Sequence, residues 1–289
     1  MDTIKLNNIT QIQSFINSAD RHMASYLYKL PQQEDALLSL IEQSIEAPGV
    51  YARVNDNNQV QMLLLAVAYG ENKFKMIGPF IAHGLTDVIN EFNTLFTAMY
   101  QAYPATANFN FTFEETEQDF TEAMKTINAY YNFTDYHLEA TSDVGELTHE
   151  QNITEYHPAY YRSFGKLHEH TFYHDAMTTD EIINSLKQTN HLFTFMSEGV
   201  LKGYVYLQVF ENAQTAEIKY FTSHSDYRFM GIAFDLLKYT LHYAFAHYNL
   251  SKISFKIRSK NATLVERFDE LGFHINNEFK KFKFVLANV

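Results

Sequence analysis

One pattern of apolar segments occurs twice along this chain, and a repeat of that kind fixes the architecture before single residues are weighed. In the first half, apolar runs predict strands over 50–54, 60–69 and 73–77. A helical spacing then runs through Val88, Ile89, Phe92, Leu95, Phe96 and Met99. Phe109, Phe111 and Phe113 alternate as in a strand, a helix is expected over 116–129, and a strand over 136–140 closes the unit. The second half predicts strands over 192–196, 204–210 and 216–222, a helix over 233–247 and a strand over 253–257. A helix over 261–271 stops at Gly272, the residue type best suited to a left-handed cap, and a strand over 279–286 follows. Met62 and Tyr204 lie 142 residues apart, Lys73 and Glu217 144, Phe109 and Ile253 144, and Phe133 and Phe273 140. Helical material precedes the strands in both halves, at 12–30 and 35–46, then at 158–168 and 179–188. The expected fold class is α/β with a mixed (α+β) sheet, in two tandem units over 1–145 and 150–289. The polar, unpatterned stretch 141–156 separates them.

Composition narrows the chemistry. There is no cysteine, so disulfides, thiolate nucleophiles and thiolate zinc sites are excluded. A formal charge of −12 repels nucleic-acid phosphates and favours cationic partners such as amines. Neither GxGxxG nor GxxxxGK occurs, which argues against dinucleotide and P-loop sites. The longest apolar run, 62–69, is far short of the roughly 20 residues of a membrane span, and the first residues do not read as a secretory leader. A soluble, cytoplasmic protein without nucleic-acid or membrane partners is expected. His168, His170, His174 and Asp175 cluster in sequence, but the spacing is not HExxH, and no metal site is expected from them.

The stretch from Glu217 to Ala233 carries the strongest functional signal. It reads as a strand, a short loop with Arg228, then Gly231 at the start of an amphipathic helix. The first N–H groups of a helix lack internal partners and sit at the positive end of its dipole, so this is a physical anion site. Arg228-x-x-Gly231-x-Ala233 resembles the Gln/Arg-x-x-Gly-x-Gly/Ala pyrophosphate loop of the GNAT N-acetyltransferase superfamily. Asn261 to Phe273, an Asn-started helix ending Leu-Gly-Phe, resembles that superfamily's second signature. The similarity covers roughly 160–286. The first half shares the element order but not the loop, since 77–84 has no matching Arg and Gly/Ala, so the chain resembles a tandem member with a degenerate first copy.

The resemblance implies two GNAT-like acyl-CoA N-acyltransferase domains and acetyl-CoA as co-substrate, with the acetyl group passing to an amine by direct attack. Backbone groups of Phe221, Thr222 and Ser223 would pair with the pantetheine arm. Amides of Arg228, Phe229, Met230, Gly231, Ile232 and Ala233 would hold the pyrophosphate. Asn261 would touch the pantetheine, a place where Asn also serves as a helix cap, and Phe268 lies where many members carry a tyrosine acid. Glu217 corresponds to the strand glutamate that acts as general base in some members, and it reads equally as a salt-bridged strand carboxylate. Tyr160, Tyr161, Tyr204 and Tyr220 are candidates for an acceptor pocket. Two other readings stay open: a CoA-binding sensor or interaction module without turnover, and aminoacyl transfer from tRNA, which the charge opposes.

Overall fold

Strand runs that are apolar throughout, instead of alternating, mark a sheet covered on both faces, and 62–66 shows why. Met62, Leu64 and Ala66 point to one helical layer while Leu63 and Leu65 point to the other, and all five are fully buried. The computed structural model describes residues 1–114, 120–142, 150–172, 176–186, 189–227, 231–259 and 262–286. The first half runs β1 (Asp2–Leu6), α1 (Ile9–Ser18), α2 (Glu34–Glu46), β2 (Val50–Val54), β3 (Val60–Gly70), β4 (Lys73–Ile81), α3 (Val88–Tyr100), β5 (Asn108–Glu114), α4 (Phe120–Thr126) and β6 (Tyr130–Ala140). The second repeats it as β7 (Ile153–Glu155), α5 (Tyr161–Thr171), α6 (Thr179–Ser185), β8 (Asn190–Ser197), β9 (Val200–Phe210), β10 (Thr215–Ser223), α7 (Ile232–His247), β11 (Lys252–Arg258), α8 (Ala262–Asp269) and β12 (His274–Val285).

The chain forms two units, Met1–Asp135 with Glu278–Val289, and Tyr136–Asn277. Strands run β1-β2-β3-β4-β5-β12-β6 in the first and β6-β11-β10-β9-β8-β7 in the second. β6 appears in both because the chain passes from the first unit to the second within it, and the chain returns to the first unit within β12. The last strand therefore belongs mostly to the first unit: Phe279 to Val285 pair antiparallel with Glu114 to Asn108 of β5. Phe282 and Phe284 drop into the core of Phe96, Phe109, Phe111 and Phe113. Tyr136–Ala140, from the first half of the sequence, goes in turn to the second unit, with Leu138 and Ala140 in its core.

In each unit the sheet lies between two helical layers. Ile12, Ile16, Leu37 and Ile41 of α1 and α2 cover one face of the first, and Phe92, Leu95, Phe96 and Met99 of α3 cover the other. In the second unit α5 and α6 bury Phe164, Leu167 and Ile182, while α7 and α8 bury Leu236, Leu237, Leu241, Val265 and Phe268 on the opposite face. The β8–β9 hairpin turns on Glu198 and Gly199 at φ 56° and 73°, the pair of positive angles a two-residue type I′ turn needs.

Four departures from the sequence expectations have physical causes. β1 and β7 were not expected, being only 5 and 3 residues long at sheet edges. The helix expected over 12–30 ends at Ser18, after which Ala19 is extended and the chain turns to bond with β4. The closing strand begins at Tyr130 instead of 136, its first three residues exposed and so without an apolar signal. The expected division at 145–150 leaves 279–286 with the half it follows, whereas strand pairing puts it in the first unit.

Candidate functional site

β10 and β11 run parallel and pair only from Thr215–Lys252 to Glu217–Ser254, after which they part. On its other side β10 stays paired with β9 as far as Ser223–Gly203. Beyond Glu217 the β11-facing edge of β10 therefore has no strand partner among the described residues, and such an edge can bond an extended, amide-bearing ligand. A register shift between Ile218 and Tyr220 makes Lys219 a bulge. One extra residue reverses the side-chain alternation. Ala216 and Ile218 lie in the core under α7 and α8, but Tyr220 lies in the α5–α6 core, and Phe221 returns to the α7–α8 side.

The strand edge leads directly to a helix start. Gly231 caps α7 at φ 75°, with Phe234 and Asp235 N–H bonding its carbonyl at 2.8 and 3.0 Å. Among the described residues a side chain there would meet nothing within 4 Å, and it is the φ that calls for glycine. Gly203 beneath is the opposite case. A Cβ on it would lie 2.9 Å from Thr222 O, 3.0 Å from Ile232 Cγ2 and 3.1 Å from Leu236 Cδ1. Its missing side chain lets β10 and the start of α7 close onto β9. The neighbouring Lys202, 6% exposed, holds its ammonium 4.7 Å from the Tyr227 ring and 3.3 Å from Glu198 Oε2. A lysine inside an apolar strand is the sequence signal that could have drawn attention to it.

The expected site residues fall into three groups. Phe221, Thr222 and Ser223 are half-buried at the open end of β10, and Gly231, Ile232 and Ala233 form the start of α7. Arg228, Phe229, Met230 and Asn261 lie outside the described residues, as do His174 and Asp175. Phe268 is fully buried, its ring 4.8 Å from Phe255, 5.6 Å from Phe234 and 6.0 Å from Phe221. Phe268 thus reaches the strand end only through the Phe221 ring. Glu217 is about one-fifth exposed, between Lys219 at 3.5 Å and Lys256 at 3.6 Å.

The four tyrosines do not line one pocket. Tyr161 is exposed and donates to Asp180 Oδ1 at 2.7 Å, a bond to a carboxylate that raises the phenol's pKa. Tyr160 is half-buried at the start of α5. Tyr204 and Tyr220 are buried around His168. His168 Nε2 faces the Met177 carbonyl at 2.7 Å and so carries the proton. Nδ1 then accepts from the Tyr204 hydroxyl at 2.5 Å, and burial, with Tyr220 adding to it, raises the Tyr204 pKa. Tyr220 Oη accepts the Met177 N–H at 2.9 Å. Both ring nitrogens of His168 are thereby committed to protein groups. Among the described residues no set of three His, Asp or Glu side chains is placed to hold a metal ion, and no helix is long and apolar enough to cross a membrane.

Residues 150–273 match the model of the acetyltransferase (GNAT) family. No curated protein matches the sequence. Among solved structures, a GCN5-related N-acetyltransferase from Sphaerobacter thermophilus superposes with a TM-score of 0.66 at 11% identity, over 99% of this chain and 95% of that one. A tandem GNAT protein from the clavulanic acid biosynthesis pathway gives 0.61 at 12% identity, over 99% and 98%. A GNAT-family acetyltransferase from Colwellia psychrerythraea gives 0.59 at 11%, over 98% and 100%. At such identities the likeness is one of fold, and it extends over both units.

Proposed function

Because residues 150–273 match the model of the GNAT acetyltransferase family, we infer that this chain is an acyl-CoA-dependent N-acyltransferase that passes an acetyl group from acetyl-CoA to an amine. The observation that carries the reading is the continuity of the β10 edge at Lys219–Ser223, unpaired among the described residues, with the glycine-capped N-terminus of α7. The edge suits the amides of a pantetheine arm, and the helix start suits a pyrophosphate. The sequence adds Arg228, Phe229 and Met230 to that helix start and Asn261 to the arm. Acetyl-CoA is a co-substrate here, and no metal is required.

The reaction is direct transfer. The amine nitrogen bonds to the thioester carbonyl carbon, the C–S bond breaks, and the thiolate departs with its electron pair. Strand-end amides stabilise the carbonyl oxygen as charge grows on it. Glu217, which lies 3.5 Å from Lys219 and 3.6 Å from Lys256, takes the amine proton directly or through one water. Holding both reactants on one frame supplies much of the remaining acceleration. With Phe268 buried and without a hydroxyl, the leaving group departs as the thiolate without an acid at that position, a thiolate being a far weaker base than an alkoxide. The acidic surface favours cationic acceptors, and the absence of cysteine suits the cytoplasm.

The test is calorimetric titration of the full chain with acetyl-CoA, alongside Arg228→Ala, followed by thiol release with a panel of amines and polyamines. Micromolar binding weakened at least tenfold in the variant, with amine-dependent thiol release, is the expected result. Binding without release from any acceptor would leave a CoA-binding module. No binding at all would overturn the reading.

A further inference from the structure

We propose that the first unit takes up no acyl-CoA because its own chain already fills the matching cleft, so the protein binds one acyl-CoA per chain. The inference rests on the reading above for what the second cleft binds, and on unit 1 alone for the filling.

The repeat places β4 and β5 where the second unit has β10 and β11. They too are parallel and pair only briefly, from Lys73–Asn108 to Lys75–Asn110, before parting. Here the gap is occupied. The segment after α1 enters it, and Asp20 exchanges both backbone bonds with Ile81, at 2.7 and 3.0 Å. Ser25 does the same with Gly78, at 2.8 and 3.2 Å. Tyr26 N–H then donates to Thr112 O of β5 at 2.9 Å, and Ser25 Oγ accepts the Thr112 N–H at 2.9 Å. Backbone groups on both sides of the gap are thus used by residues 20–26. Met23, Ala24, Ser25 and Tyr26 are buried to 1%, 3%, 0% and 5% exposure. Met23 and Tyr26 hold φ of 64° and 53°, angles non-glycine residues seldom adopt, and the surrounding bonds keep them there.

Two further observations agree. In the second unit Met177, in the α5–α6 connection, bonds to side chains only, Tyr220 of β10 and His168 of α5. No backbone bond joins that connection to β10 or β11 among the described residues. The helix starts differ as well. Where α7 has Gly231, α3 begins after Asp87, whose carboxylate accepts from Asn90 at 2.7 Å and puts negative charge where a phosphate would sit. No arginine occurs in 77–87.

The experiment combines calorimetry on the full chain, using CoA and acetyl-CoA, with amide hydrogen exchange. One site per chain is expected. The amides of Gly78, Ile81 and Thr112 should exchange at the same slow rate with and without saturating CoA, while those of 219–223 slow on binding. Two sites per chain, or CoA-dependent protection at Gly78, Ile81 or Thr112, would overturn the proposal. If no CoA binds, the functional reading falls, and Ser25→Ala decides the filling alone. A rise of tenfold or more in Thr112 exchange keeps it, and an unchanged rate ends it.

Discussion

Gly203→Ala is the most informative single change, because one methyl group would push on both halves of the site. The added Cβ would lie 2.9 Å from the Thr222 carbonyl oxygen and 3.0 Å from Ile232 Cγ2. The first is backbone in a paired strand and the second opens a helix, so neither can yield as a surface side chain would. Overpacking of this kind costs about 1–3 kcal/mol. The smaller entropy of the unfolded alanine chain returns about 0.4–1 kcal/mol, leaving a net loss of about 1–2 kcal/mol. For a unit of this size that lowers Tm by about 2–8 °C. Pushing the Thr222 carbonyl, which points to β9, also shifts the backbone of Phe221 and Ser223 on the open edge and disrupts a strand-end hydrogen bond to the acyl-CoA arm. That bond is worth about 0.5–1.5 kcal/mol, which weakens binding roughly two- to tenfold. Gly199→Ala is the control. It forces alanine to φ 73° but meets no atom within 4 Å, so it should cost about 1–2 kcal/mol and leave affinity alone. Thermal melts and acyl-CoA titration on the three proteins decide the matter. Wild-type affinity in Gly203→Ala, or equal weakening in both variants, would refute the reasoning.

Phe268→Ala should destabilise the second unit by about 3–5 kcal/mol, since the ring is fully buried among Phe221, Phe234, Phe255 and Phe273; a denaturant midpoint within error of wild type would contradict that packing. Glu217→Gln should lower kcat about 100-fold or more while acyl-CoA affinity stays within twofold, and equal kcat would remove Glu217 from the proton path. His168→Phe leaves the Tyr204 hydroxyl and the Met177 carbonyl without their partner, a loss of about 2–4 kcal/mol visible in chemical denaturation. Tyr103 donates to the Pro48 carbonyl at 2.5 Å, and burial pushes its pKa up to about 12. A raised pKa means stabilisation that is complete below about 10 and lost as pH climbs toward 12. Melting curves across that window should flatten in Tyr103→Phe.

How far the site could be read in advance depended on how local its signals are. The Gly231 turn, the α7 start and the half-buried strand end at Phe221–Ser223 follow from neighbouring residues, so the string of letters carries them. The bulge at Lys219 is different. Glu-Ile-Lys-Tyr alternates cleanly, and only pairing with β9 shows that Tyr220 has crossed to the face opposite Ile218. Tyr204 and Tyr220 accordingly end as buried partners of His168, not as walls of an open pocket. Phe268 is a similar case, because its burial is decided largely by rings on β10, α7 and β11, outside its own helix. Residues 20–26 misled for a related reason: Met23, Ala24 and Tyr26 have an apolar spacing that continues a helix, yet they are apolar because they fill a cleft.

By itself the sequence determined the class and its duplication. Two hydrophobic periods, 2 and 3.6, repeat in the same order about 144 residues apart, and the glycine and turn residues that break them are local. Tertiary structure alone decided which strands complete which unit. A closing strand carries the same alternation whichever sheet receives it, so Phe279–Val285 could not declare that their partners are Asn108–Glu114. It decided likewise that the first cleft is filled by its own loop while the β11-facing edge of β10 has no strand partner among the described residues. Both outcomes depend on backbone groups that every residue possesses, and a backbone N–H or C=O finds its partner through the path of the chain, which no side-chain pattern records.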